Sequence, residues 1–218
     1  MEIGRFISFE GVEGCGKTTQ IKLAGEYLKK SPILFIITEE PGGTPIGRRI
    51  RKILLNKGAG EEICKETEML LFSAARAQHV KDVIIPALKD GTLVLCDRFY
   101  DATIAYQGFG RGLDINFIRY LNAFSSSNVK PGLTLLFDLP VEVGLKRALD
   151  RIARMKEGSA EDRFERENLE FHSKVREGYL SLARQDHKRF RIIDASKDIE
   201  SIHREVCVHI SQFLNEKL

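Results

Sequence analysis

Apolar residues in this chain fall into short, nearly continuous runs, separated by longer stretches in which they recur every three or four positions. The runs at 5–9, 34–38, 92–96, 133–138 and 191–194 have the length of strands. Most are apolar throughout, as in parallel sheets covered by helices on both faces. Helical periodicity predicts helices near 17–30, 45–56, 61–89, 113–126, 141–156, 163–186 and 198–215. Strands alternating with helices predict an α/β fold of three layers around a parallel sheet of about five strands. Neither a repeat nor a low-complexity linker divides the chain, so 1–218 reads as a single domain. Ligands of such sheets sit beyond the carboxyl ends of the strands.

The first run leads into FEGVEGCGKTT (9–19). Gly11-x-x-x-x-Gly16-Lys17-Thr18, with a strand before it and a helix after it, is a phosphate-binding P-loop and places the chain in the P-loop NTPase fold. Gly11, Gly14 and Gly16 let the backbone turn so that successive N–H groups face one anion. The following helix presents the positive end of its dipole there. Lys17 can reach the outer phosphates, and the Thr18 hydroxyl can ligate Mg²⁺. A chance glycine-rich turn would lack the flanking strand and helix.

The third run ends VLCDR (94–98). Asp97 holds a Walker-B-like position, where a carboxylate supports the Mg²⁺ shell. Arg98 adds a bidentate phosphate donor and points to a second phosphorylated group facing the first. The plainer alternative is a solvated ion pair at a strand end. Phe72 and Arg76 share one helix face. A ring and a planar fork of donors suit a flat heterocycle, although spacing alone favours a core position for Phe72. Thr103, Tyr106 and Gln107, at i, i+3 and i+4 on another short helix, gather a hydroxyl, a phenol and an amide. Arg147, Arg151 and Arg154 form a cationic stripe before the polar loop 155–162, and Arg163 follows it. Such a stripe is ordinarily a solvated face. Here the variable P-loop positions Val12, Glu13, Gly14 and Cys15 carry no cation. A lid at about 150–163 would supply one and exclude water.

Composition narrows the class. Hydrophobic residues make up 43% and charged residues 30%, as in ordinary globular proteins. No apolar run approaches the length of a membrane span. The chain enters its first strand at once, which leaves no room for a signal peptide. A net charge of +3 is too small for a nucleic-acid binder. Cys15, Cys64, Cys96 and Cys207 lie far apart and read as reduced thiols of a cytoplasmic protein. The histidines are scattered, without metal-ligand spacing.

Several stretches together resemble the bacterial thymidylate kinases: FEGVEGCGKTT (9–19), EPGGT (40–44), EMLLFSAAR (68–76), DRFYDATIAYQG (97–108), DRFE (162–165) and FHSKVREGYL (171–180). The resemblance covers nearly the whole length. The P-loop is common to many NTPases; the other segments in combination belong to this family. The resemblance implies transfer of the ATP γ-phosphoryl to dTMP, with Mg²⁺, by a homodimer. It implies that Gly11, Val12, Glu13, Gly14, Cys15, Gly16, Lys17, Thr18 and Thr19 cradle ATP, with Thr18 and Asp97 at the metal. Arg51 and Arg98 would clamp the dTMP phosphate, beside Glu40 and Pro41. Phe72 would stack on thymine, while Arg76, Thr103 and Gln107 bond its edge. Glu13 would lie near the deoxyribose hydroxyl or the metal, and Tyr106 would crowd a ribose 2′-hydroxyl. Catalysis would rest on Lys17, Arg98 and the lid arginines Arg151, Arg154 and Arg163. Glu13-Gly14-Cys15 in place of Asp-Arg-Ala matches the lid-arginine type. Glu39 stands where the family commonly has Arg and is left out of the site. The rival readings are a kinase for another monophosphate such as dUMP or CMP, a P-loop switch ATPase, and an inactive nucleotide-binding module. No Asn-Lys-x-Asp guanine signature follows the fourth run, and Lys17, Thr18, Asp97 and Arg98 are intact.

Overall fold

The computed structural model describes residues 5–55, 62–154 and 163–215. Strands β1 (Phe6–Glu10), β2 (Phe35–Glu39), β3 (Leu93–Asp97), β4 (Leu133–Asp138) and β5 (Phe190–Asp194) form one 5-stranded sheet. Its order is β2-β3-β1-β4-β5 and every pairing is parallel. The helices are α1 (Lys17–Leu28), α2 (Pro45–Leu55), α3 (Lys65–His79), α4 (Ile85–Lys89), α5 (Tyr100–Thr103), α6 (Ile115–Ser125), α7 (Val141–Ala153), α8 (Leu169–Gln185) and α9 (Ile199–Asn215). None is long and apolar enough to cross a membrane among the described residues.

The three central strands are buried except at Asp97 and Asp138, their last residues. Successive side chains leave a strand on opposite faces. Phe6, Val94 and Cys96 pack with Val80, Ile84 and Phe99 on one side. Ile7, Phe9, Leu93 and Leu95 join Ile21, Ala24 and Leu28 on the other. Covered on both faces, these strands need apolar residues at nearly every position, which is why the sequence pattern located them. The edge strands β2 and β5 expose Ile37 and Ile192. Register puts Phe9 of β1 beside Asp97 of β3, so the P-loop leaves the sheet next to Asp97 and Arg98.

Three expected helices differ. The stretch expected as one helix over 61–89 is α3, a π-helical turn over Val80–Ile84, and then α4 (position 61 lies outside the described residues). Pro86 cannot donate to the carbonyl four residues back and its ring clashes there, so the backbone widens just before it. The helix expected from 163 begins at Leu169, because the Asn168 side chain accepts from Phe171 N at 2.8 Å and caps it. The short helix expected to carry Thr103, Tyr106 and Gln107 is α-helical only over α5 and π-helical over Ile104–Gly110. This segment packs tightly on α8: a Cβ at Gly110 would lie 2.6 Å from the Phe171 ring, and one at Gly178 would lie 2.9 Å from that of Phe109. That close approach seats Tyr106 against Tyr179, with ring centroids 6.2 Å apart.

Candidate active site

The loop between β1 and α1 is closed by its own lysine. Lys17 Nζ donates to Gly11 O at 2.8 Å and to Val12 O at 2.9 Å, and lies 3.4 Å from Cys15 Sγ. Gly14 has φ 69°, and a Cβ there would lie 2.0 Å from Gly144 O, so the start of α7 presses directly on the loop. Thr18 Oγ1 donates to Asp97 Oδ2 at 2.9 Å. A hydroxyl and a carboxylate thus stand together at the mouth of the loop. Among the described residues no group of three or more His, Cys, Asp or Glu could hold a metal by itself. The pair fits Mg²⁺, which binds through one or two protein ligands and completes its shell with water and substrate phosphate. The other side of the loop borders a cleft lined by Gly14, Cys15, Gly16, Thr19, Gln20 and Arg147, and by residues just after β5. Arg147 spans it, donating to Ala195 O at 3.3 Å.

A second cleft opens beside the loop. Glu13, Glu40, Pro41, Arg51, Phe72, Arg76, Arg98, Thr103, Tyr106 and Gln107 all line it, together with Leu55, Phe99, Ala102, Phe164 and Glu165. Its floor is a buried polar network. Arg76 donates from Nε to Glu40 Oε2 (2.8 Å), from Nη1 to Asn122 Oδ1 (2.8 Å) and from Nη2 to Thr103 Oγ1 (2.9 Å). Three of the five guanidinium N–H groups are used, which leaves two for a carbonyl in the cleft. Glu40 also meets His79 Nδ1 at 3.0 Å, and His79 Nε2 meets Thr38 Oγ1 at 2.6 Å. Gln107 donates to Glu68 Oε1 at 2.8 Å. Phe72 is half-buried. It packs on the core cluster and, with its ring 6.1 Å from that of Phe164, also forms cleft wall. At the rim Arg51 donates to Pro41 O at 2.8 Å and pairs with Glu39 at 3.3 Å.

Between the two clefts stands Glu13. Its Oε1 accepts from Arg98 Nη2 (3.0 Å) and Tyr106 OH (2.5 Å), and its Oε2 lies 3.2 Å from His172 Nδ1. His172 Nε2 faces the Phe164 carbonyl at 3.0 Å and therefore carries a proton. The Arg98 guanidinium lies over the Tyr106 ring, 4.9 Å from its centroid. Burial opposes ionisation of Glu13, but His172, Arg98, Lys17 and Tyr106 together outweigh it and hold the carboxyl at about 2. Glu10, the last residue of β1, is the reverse case. Burial, and the Asp101 charge after it, push it up to about 8 against the opposing pull of Arg98. The two shifts act oppositely on stability. The contribution of Glu13 is complete above its unfolded value of about 4.5 and is lost as pH falls toward 2. That of Glu10 is complete below about 4.5 and is lost as pH rises through about 8. In urea melts the wild type should lose stability relative to Glu10→Gln between about pH 5 and pH 8. Parallel curves would mean that Glu10 titrates normally.

The lid arginines take separate places. Arg163 Nη2 meets the buried Glu68 Oε2 at 2.6 Å, and Nη1 donates to Leu54 O at 3.3 Å. Arg151 is exposed and pairs with Glu165 at 3.2 Å. Arg154 follows α7 on the surface with Arg147, Asp150 and Arg151. The loop expected at 155–162 lies outside the described residues. Sequence reasoning passed over Glu68, Asn122, His172 and Tyr179, the polar residues that hold the site residues in place. It also passed over the residues after β5. The strand-end rule pointed to the latter; the former look like any polar position on a helix.

Fold and site together define a P-loop nucleotide-binding protein with a cleft on either side of the loop. The family model described as thymidylate kinase matches residues 9–206. A thymidylate kinase from Syntrophus aciditrophicus is 62% identical over 205 residues, covering 94% of this chain and 93% of that one. The thymidylate kinase of Geotalea daltonii is 52% identical over 213 residues, covering 98% and 99%. Among solved structures, thymidylate kinase from Ehrlichia chaffeensis superposes with a TM-score of 0.74 at 32% identity, covering 95% of this chain and 98% of that one. The chain belongs to the thymidylate kinase family.

Proposed function

We propose that this chain phosphorylates dTMP to dTDP with MgATP as donor, a step of dTTP synthesis. One observation carries the assignment of sites: the side chains expected to read a thymidine nucleotide converge on a single cleft, which meets the P-loop at Glu13 and Arg98. In this reading ATP lies along Gly11 to Thr19, with its base toward Arg147. Phe72 flanks the thymine, Arg76 with Thr103 and Gln107 meets its edge, and Arg51 and Arg98 hold its phosphate. Tyr106 and Glu13 border the sugar, with Glu40 and Pro41 alongside.

The acceptor is a phosphate oxygen already ionised near neutral pH, so no strong base is required. The transition state is loose and anionic, and the protein chiefly aligns two anions and neutralises them. Lys17 and Arg98 do so from fixed positions, while Arg151 or Arg154 would act from the lid. Arg163, tied to Glu68 and Leu54 O, is better placed to anchor the lid than to reach ATP. Thr18 and Asp97 would hold Mg²⁺, whose charge, when it is bound, would help neutralise the phosphates.

We also propose a homodimer and a cytoplasmic location. Ile46 and Ile53 of α2, Leu70 of α3, and Phe117, Tyr120 and Phe124 of α6 are exposed, and α3 packs against both of the other helices. Exposed apolar side chains on helices that pack together favour an interface there; a monomer by sedimentation removes it. The cysteines stand as free thiols, as a reducing compartment requires.

A coupled assay with ATP and dTMP, dUMP, CMP or AMP tests the function. dTMP should be the best acceptor, with dUMP behind it by the value of one methyl group, about 1–3 kcal/mol. Preference for CMP or AMP, or hydrolysis of ATP without any acceptor, overturns the reading.

A further inference from the structure

Arg98 has a left-handed backbone, φ 68°, which a residue with a side chain adopts only when its surroundings enforce it. Two hydrogen bonds pin the flanking peptides. Arg98 N donates to Phe9 O at 3.0 Å, and Phe99 N donates to Glu10 Oε1 at 2.7 Å. Glu10 is fully buried. Its other oxygen accepts from Tyr179 OH at 2.8 Å, and that hydroxyl accepts from Arg98 Nη1 at 3.1 Å. Nη1 is shared with Gly11 O at 2.9 Å. One carboxyl group therefore holds Arg98 at both ends. It clamps the peptide that turns the chain, and through a phenol it fixes the tip of the side chain. Nothing in the phosphoryl transfer described above uses Glu10 or Tyr179, yet both are buried polar groups deep in the sheet-to-α8 layer.

We propose that Glu10 and Tyr179 are positioning residues for Arg98. Glu10 enforces the left-handed turn after β3 by accepting the Phe99 N–H, and Tyr179 carries the constraint to the guanidinium. The pair thereby aims Arg98 at the phosphate of the monophosphate substrate. This rests on the dTMP reading given above. It makes the P-loop strand, β1, the common support of both subsites: Glu10 precedes the loop that takes the donor and sets the arginine that takes the acceptor.

Thymidine separates this role from a merely structural one, because it offers the same base and sugar without the phosphate. Dissociation constants for dTMP and thymidine are measured by calorimetry on the wild type, Glu10→Gln, Glu10→Leu and Tyr179→Phe. Glu10→Gln keeps an acceptor for Phe99 N–H and should keep the wild-type ratio of thymidine to dTMP constants. Glu10→Leu leaves that N–H without a partner, and Tyr179→Phe cuts the link to the side chain. Each should shrink the ratio by about tenfold, through weaker dTMP binding with thymidine binding nearly unchanged. If Glu10→Leu does not fold, Tyr179→Phe alone decides. Equal losses for both ligands, or unchanged ratios, overturn the proposal. A wild type that binds dTMP no more tightly than thymidine overturns the phosphate clamp itself, a separate failure.

Discussion

Replacing Arg98 by alanine should lower kcat/KM for dTMP by about a hundred- to a thousandfold, the range typical for a donor aimed at transition-state charge in a closed site. ATP affinity, measured by nucleotide displacement, should change by only a few-fold. The asymmetry follows from where the side chain points. Its Nη groups meet Gly11 O, Tyr179 OH and Glu13 Oε1, on the wall of the second cleft. The Lys17 and Thr18 contacts that shape the other side of the loop remain without it. Glu13 loses one of the charges that keep it ionised but retains Tyr106, His172 and Lys17, so the loop should keep its form. Turnover near the wild-type level would remove Arg98 from the reaction. An equal collapse of ATP binding would make it a support of the P-loop.

The second large effect is on stability. Arg76 is 2% exposed and Glu40 6%. Arg76→Met keeps most of the volume but leaves a buried carboxylate without its cation, which costs about 3–5 kcal/mol. Urea unfolding should register a loss of this size. Adding Glu40→Gln should recover part of it, because the stranded charge disappears and a buried ion pair is by itself a weak source of stability. A single variant within about 1 kcal/mol of wild type, or a double variant as unstable as the single, would mean that the network is solvated in solution. Thymine binding should be lost in both variants, since Asn122, Thr103 and Glu40 converge on this one guanidinium.

These two arginines illustrate how far the chain could be read. Arg98 was legible because strand-end positions in parallel sheets are site positions, and an apolar run followed by Asp-Arg marks one. Arg76 was legible as half of a ring-and-fork pair on one helix face. Their supports were not. Asn122 lies 46 residues from Arg76, and Tyr179 lies 81 from Arg98. Each is an ordinary polar residue in an amphipathic helix until that helix is packed. Phe72 was undecided for a related reason: half-burial lets one ring serve both core and cleft. Glu39 departed from the family's habit, and the structure gives it a partner in Arg51, a contact no local pattern could announce.

The sequence by itself determined the strands, the P-loop, the strand-end Asp-Arg pair and the family. Those depend on local rules: continuous apolar runs for strands buried on both faces, and fixed spacings for a loop that wraps an anion. Only the tertiary structure decided the strand order and the π-helical seat of Tyr106. It also divided the arginines, drawing Arg163 to Glu68 and leaving Arg151 and Arg154 on the surface. The physical reason is burial. A charged or polar group taken out of water must find partners wherever packing brings them, and that neighbourhood does not exist until the layers close.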